Sequence, residues 1–220
     1  MLITLTEENY LKAIYHLGQK SDKEISTNAI AEKIEAKASS VTDMLKKLAD
    51  KKLISYRKYK GVTLTEKGRL TAVDIIRKHR LWEVFLVDKL NFSWDEVHEV
   101  AEQLEHIKSP KLINELDAYL DFPTHDPHGD PIPDKNGQIQ RTDKITLSQA
   151  VINQTYICVG VIDSSSDFLK YLDKYNIGIG SEITVLEREE FDQSITIEIK
   201  GKTVVMSKII STNIYVKKNI

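Results

Sequence analysis

The sequence predicts an α+β protein built in three parts, and three observations carry that reading. Apolar residues recur at helical spacing over residues 6–48 and 65–120. Alternating, β-branched runs dominate after residue 150. Four of the five prolines fall between these regions, in residues 122–148.

The first helix is expected from Thr6 to Gln19, with Tyr10, Leu11, Ile14, Tyr15 and Leu17 on its apolar side. Thr6 is its expected cap, and Glu7 and Glu8 occupy the turn where negative charge is favoured. After a polar break, Lys20–Glu24, Ser26 caps a short helix carrying Ala29, Ile30, Ala31 and Ile34. A third helix begins near Ser39 and buries Val41, Met44, Leu45 and Leu48. LISYRKYKGVTLT then reads as two short strands turning at Lys60–Gly61. Three helices followed by a basic hairpin is the pattern of a winged helix-turn-helix. Its third helix enters the major groove and its hairpin touches the backbone.

A long helix follows from about Thr65 to Leu90, its start weakened by Gly68 and its apolar residues running from Leu70 to Leu86. Ser93 and Glu96 are spaced as a capping box for the next helix, and Pro110 opens another, Lys111 to Leu120. Residues 122–148 form a connecting segment with defined turns. YICVGVI, EITVLE, SITIEI and KTVVMS then read as strands of a small β-barrel, with a helix from Ser165 to Tyr175 inserted. The expected divisions are 1–72, 73–122, a Pro-rich linker 123–150, and 151–220.

Composition narrows the function. With 41% hydrophobic and 29% charged residues the chain is a folded protein, not a disordered one. No apolar run reaches the roughly 18 residues of a membrane span. MLITLTEENY lacks the basic start and long apolar core of a signal peptide, so the expected compartment is the cytoplasm. Cys158, the single cysteine, excludes an intrachain disulfide and a cysteine-based zinc cage; in its strand it reads as a small buried hydrophobe. Net charge is −2, divided as +5 over residues 1–72, −5 over 73–125 and −2 over 126–220. A basic first third suits a polyanion and an acidic middle suits a cation.

His98, Glu102, Glu105 and His106 stand at spacings 0, +4, +7 and +8, within about 100° of one helix face. His79 and Glu83 lie one turn apart on the preceding helix. Imidazoles and carboxylates are metal ligands, and crowded carboxylates call for a cation or protons. The alternative is an ordinary solvated face. His125 and His128, in the Pro/Gly loop, read as surface residues. On the DNA side, Ser39, Ser40, Thr42 and Asp43 occupy the first turn of the third helix, close enough for short side chains to meet a groove. Lys37, Lys46, Lys47, Arg57, Lys58 and Lys60 add positive charge for the backbone. Tyr56, Tyr59 and Trp82 read as packing residues.

TEENYLKAIYHL, SSVTDMLKKLADKKLI, RKHRLWEVFL, VHEVAEQLEHI and DPHGDPIP, in this order and spacing, resemble the diphtheria-toxin-repressor family of metal-dependent transcriptional regulators. The resemblance covers essentially the whole chain. It implies an N-terminal winged helix-turn-helix, a helical dimerisation and metal-binding domain, and a C-terminal SH3-like domain. It also implies a homodimer that binds operator DNA when loaded with a divalent metal and represses uptake genes. One implied metal site matches His79, Glu83 and His98; another matches Glu102, Glu105 and His106 with a ligand at Asn9. Asp163 and Asp167 lie near where longer members supply ligands from the third domain. Iron sensors in the family carry Cys at the position of Glu102, and manganese sensors carry Glu. A hard carboxylate suits Mn(II), so Mn(II) is the expected cofactor and Fe(II) the alternative. Two departures stand out: Asn9 replaces Asp or Met, and Lys12 replaces the Glu of manganese sensors. A metal-dependent hydrolase is a remote alternative, since no separate nucleophile or base is in view. A metal-independent DNA-binding protein is another.

Overall fold

A computed structural model describes residues 3–19, 24–57, 60–140 and 142–219. Residues 20–23 of the expected polar break, together with Lys58 and Tyr59, lie outside them. Two compact units share the chain: residues 1–79, 102–113 and 133–139 form one, and 80–101, 114–132 and 140–220 the other.

In the first unit, α1 (Leu5–Gln19), α2 (Thr27–Lys33) and α3 (Ala38–Asp50) precede a hairpin of β1 (Ile54–Arg57) and β2 (Gly61–Leu64). Helix α1 starts earlier than its expected cap. Thr4, not Thr6, caps it: the Glu7 amide donates to Thr4 Oγ1 at 3.3 Å, and the Thr4 amide donates to Glu7 Oε2 at 2.8 Å. A reciprocal box needs Glu or Gln three residues after the cap; Thr4 has Glu7 there, whereas Thr6 has Asn9. Ser26 caps α2 as expected, accepting from the Ala29 amide. Leu11, Ile14, Ile30, Val41, Leu45, Leu48 and Val62 are fully buried together, so the periodicity of all three helices points inward to one core. Ile25 and Val62 exchange backbone hydrogen bonds, which ties the hairpin to the entry of α2.

Helix α4 (Glu66–Leu90) begins at Thr65, whose Oγ1 accepts from the Gly68 amide at 3.1 Å. Gly68 does not merely weaken this start. A Cβ there would lie 1.9 Å from the Leu53 carbonyl oxygen, so only glycine lets the helix pass the hairpin.

Of the second unit, α5 (Val97–Leu104) and α6 (Pro110–Tyr119) each lend it only one end. Ser93 and Glu96 form half of the expected box. Glu96 accepts from the Ser93 amide, while the Ser93 hydroxyl turns to Asp95, so α5 starts only at Val97. It also ends at Leu104, which leaves Glu105 and His106 in the following turn and His98 and Glu102 on the helix.

The strands are β3 (Ile145–Thr146), β4 (Gln154–Val161), β5 (Glu182–Arg188), β6 (Ile195–Ile199), β7 (Lys202–Met206) and β8 (Ile214–Lys218). They form one antiparallel sheet in the order β3-β8-β4-β5-β6-β7. Helices α7 (Ser166–Lys174) and α8 (Lys208–Thr212) complete the unit. Cys158, Ile183, Val185, Ile197 and Val216 alternate inward and are fully buried with Leu169 and Leu172 of α7. Burial pushes the Cys158 thiol up to about 11, as expected of a core residue.

Candidate metal centres and nucleic-acid interface

Helix α1 is half core and half pocket. Leu11 and Ile14 enter the winged-helix core, while Glu8, Asn9 and Lys12 lie among residues 102–108 or on the same helix beside those that do. Glu105 is the centre of this pocket and is fully buried. Lys12 Nζ donates to both its oxygens, at 2.6 and 2.8 Å, and lies 3.8 Å from Glu102. His79 Nδ1 approaches Glu105 Oε2 at 2.6 Å. His106 Nδ1 approaches Glu8 Oε2 at 2.6 Å, and its Nε2 lies 3.8 Å from Glu105 Oε1. Burial would raise the Glu105 carboxyl, but the His79 hydrogen bond and the Lys12 charge hold it below the usual carboxylate range.

Asn9 Oδ1 is buried and has no hydrogen-bond partner among the described residues. An orphaned buried acceptor is costly, by about 1–3 kcal/mol. A cation is a chemically suitable partner for it. Glu102, Glu105, His106 and His79 add hard oxygen and imidazole donors, so the residues present fit a divalent metal of the Mn(II) or Fe(II) type.

The second unit holds a pocket of its own. Glu83 on α4 is 2% exposed; its Oε1 lies 3.3 Å from His98 Nδ1 and its Oε2 lies 3.6 Å from His128 Nδ1. Glu83, Asp126 and His128 bring one ligand atom each within 4.8 Å of one another, all three buried. His79 stands one helical turn before Glu83.

His128 corrects the sequence reading: it is 5% exposed, not a surface residue, whereas His125 is half-buried. The loop around it closes on itself, with Asp126 Oδ1 accepting from the amides of His128 and Asp130. It then docks on β4, where the Val161 amide donates to the His128 carbonyl at 2.9 Å. Gly129, at φ +81°, makes the approach possible: a Cβ there would lie 2.1 Å from the Val159 carbonyl oxygen. Burial, then the Glu83 charge, pushes Asp126 up to about 7, against the opposing Arg80 charge. Burial would lower His128, but the Glu83 carboxylate beside it raises it. Arg80 pairs with Asp126 at 3.4 Å and Asp130 at 3.0 Å.

Asp126 and His128 carry no side-chain pattern of their own, and the one signal for the docking of their loop lies in its glycines. A Gly within a strand, as in CVGVI, marks close backbone approach, and DPHGDP offers the partner glycine. Asp163 accepts from the Ser165 amide, and Asp167 is exposed in the first turn of α7. Neither belongs to a group of three ligand-type residues among the described residues.

On the DNA side, Lys37, Ser39, Ser40, Asp43, Lys46, Lys47, Arg57 and Lys60 are exposed; Lys37 to Asp43 lie at the start of α3, Lys46 and Lys47 toward its end, and Arg57 and Lys60 on the hairpin. Lys58 is outside the described residues. Thr42 donates its hydroxyl to the Ala38 carbonyl, and Asp43 pairs with Lys46 at 3.0 Å. Both side chains therefore start from intrahelical partners that a groove would have to exchange.

Three family models cover nearly the whole chain. The N-terminal DNA binding domain of the iron dependent repressors matches residues 1–62, and their metal binding and dimerisation domain matches 65–134. An FeoA domain matches 145–218. The iron-dependent repressor IdeR of Mycobacterium tuberculosis is 35% identical over 128 residues, 58% of this chain and 55% of that one. This chain thus spans about half the length of the mycobacterial relatives it matches. The diphtheria toxin repressor of Corynebacterium diphtheriae is 27% identical over 210 residues, 90% of this chain and 91% of that one. Among solved structures, a manganese-dependent transcriptional repressor in complex with manganese is 36% identical, with a TM-score of 0.86, covering 97% of this chain and 100% of that one. The manganese regulator SloR is 37% identical at a TM-score of 0.76, covering 97% and 98%.

Proposed function

The chain belongs to the iron-dependent repressor family, and on that premise we propose that it represses metal-ion uptake genes in the cytoplasm by binding operator DNA as a metal-loaded homodimer. The family consists of DNA-binding regulators rather than enzymes. One observation carries the reading. The buried Glu105 pocket is closed by α1, the same helix that packs Leu11 and Ile14 into the winged-helix core. Ligand chemistry at this pocket is therefore coupled by a single rigid element to the placement of α3.

Glu102, Glu105, His106 and the Asn9 carbonyl would hold one metal, and Glu83 and His98 would hold another. Asp126 and His128, within ligand distance of Glu83, are further candidates for the second group. A bound divalent cation supplies the positive charge that draws these donors together. Glu105, in the turn after α5, and Asn9, on α1, fix the angle between the two segments. Thr42, Ser39 and Ser40 then meet the groove while Lys37, Lys46, Lys47, Arg57 and Lys60 meet phosphates.

Manganese neighbours and the hard Glu102 carboxylate support Mn(II) as the cofactor, and the iron-dependent relatives keep Fe(II) as the second reading. Selection from a random double-stranded DNA pool tests both. Sequences enriched with Mn(II) and not with chelator support the reading; equal enrichment without metal overturns it. Glu102→Cys should move the preference from Mn(II) toward Fe(II), and an unchanged preference removes the selectivity argument.

A further inference from the structure

We propose that Lys12 is a tethered cation that competes with the metal for the Glu105 pocket and so sets the metal concentration at which that pocket fills. The proposal rests on the metal reading above and goes beyond it.

The ammonium already occupies the pocket's central carboxylate. It bonds both oxygens of Glu105 at 2.6 and 2.8 Å and lies 3.8 Å from Glu102, on a side chain only 15% exposed. Glu105 itself is fully buried, so this pair is shielded from solvent screening. A lysine ammonium is a compact point charge with three donors, and here it does what a cation ligated by Glu105 would do: it neutralises the carboxylate and links α1 to the turn after α5.

A divalent cation reaching the same oxygens meets that charge directly. The stem has to swing out for the metal to enter, and the contacts it leaves are subtracted from the apparent metal affinity. Asn9 sharpens the point. It lies three residues before Lys12 on the same helix, and its buried Oδ1 has no hydrogen-bond partner among the described residues while Lys12 is engaged with Glu105. The pocket thus keeps a neutral oxygen donor free for an incoming cation while its strongest carboxylate is guarded. A built-in positive charge beside a neutral Asn makes a pocket tuned to fill late rather than one unable to fill.

The test compares the full chain with Lys12→Met, both in a Glu83→Gln background, which removes the carboxylate shared by the second pocket's ligand groups so that this pocket does not mask the change. Mn(II) binding is read by electron paramagnetic resonance of free Mn(II), and thermal unfolding is followed in chelator. The expected result is Mn(II) binding at least tenfold tighter in Lys12→Met, with a lower melting temperature in chelator that saturating Mn(II) restores. Lys12→Gln, which keeps a donor on Glu105 and drops the charge, gives the same change if the Met variant does not fold. Equal or weaker Mn(II) binding in both variants, with wild type still binding, overturns the role of Lys12 alone. Absence of Mn(II) binding in every folded variant overturns the metal reading and this proposal together.

Discussion

The two acidic pockets contain the same kinds of residue and meet opposite electrostatic fates. Glu105 is buried against Lys12 and His79, and its carboxyl is held below the usual range. Asp126 is buried against Glu83, and its carboxyl is pushed up to about 7. The difference is the cation on hand. Lys12 gives both of its short contacts to Glu105. Arg80 divides itself between Asp126, Asp130 and the Pro131 carbonyl, and leaves the Glu83–Asp126 repulsion largely in place. Burial alone therefore does not determine how a carboxylate behaves; the geometry of the nearest positive charge does. The first pocket is neutralised from within, and the second waits for protons or a metal.

The largest expected effect breaks the first pocket. Glu105→Ala leaves the Lys12 ammonium and His79 without their buried acceptor, and removing one partner of such a pair costs several kcal/mol. A loss of about 3 kcal/mol is expected, at the lower end because Lys12 keeps 15% exposure and has Glu102 nearby. Denaturant unfolding in chelator measures it. Glu105→Leu combined with Lys12→Met should recover most of the loss, because both charges leave together. A loss under about 1 kcal/mol for Glu105→Ala would erase the contrast between the pockets. The same variant should also abolish metal-dependent DNA binding.

Next in size is Gly129→Ala, which acts on the second pocket alone. The added Cβ would meet the Val159 carbonyl oxygen at 2.1 Å and Gly160 Cα at 2.5 Å, at a positive φ that alanine disfavours. Undocking the loop should cost about 2–3 kcal/mol. His128 would leave its stack on Trp94, where the ring centroids lie 6.3 Å apart, so indole fluorescence reports the change. Unchanged fluorescence and stability would mean that the loop does not depend on Gly129.

The contrast between the pockets also marks how much was legible in the sequence. Glu102, Glu105 and His106 were readable as one group because they stand at +4, +7 and +8 from His98, although their contacts with Lys12 and Glu8, on α1, were not. So were α1 to α3, since a core built from adjacent helices writes its period into each of them. Asp126 and His128 were not, because their burial comes from β4, some thirty residues downstream, through backbone contacts that leave no side-chain pattern. Strand β8 is absent from the strands the sequence predicts: Ile214 and Val216 face the core, but Lys217 and Lys218 cut the alternating run short. Thr6 opens the periodic run, which makes it the cap that pattern predicts; the reciprocal bond with Glu7 selects Thr4 instead.

The smallest expected effect is the pH dependence that separates the pockets. An Asp has an unfolded pKa of about 3.9. With its folded value raised to about 7, Asp126 favours the unfolded state increasingly as pH climbs between those limits, and the penalty is complete above the upper one. His128, raised by Glu83, acts in the same direction: its contribution is full at low pH and is lost as pH rises through its folded value. Glu105 does the reverse. Its depressed carboxyl stabilises the fold above the unfolded value of about 4.3 and loses that contribution only as pH falls through its folded value. In chelator, the second unit should therefore weaken from pH 5 to pH 8 while the first holds steady. Asp126→Asn removes the ionising group and should raise the melting temperature at pH 8 by about 2–4 °C, with little change at pH 5. A variant that shifts both pH values equally would show that Asp126 acts through packing rather than charge, and the electrostatic contrast would then rest on Glu105 alone.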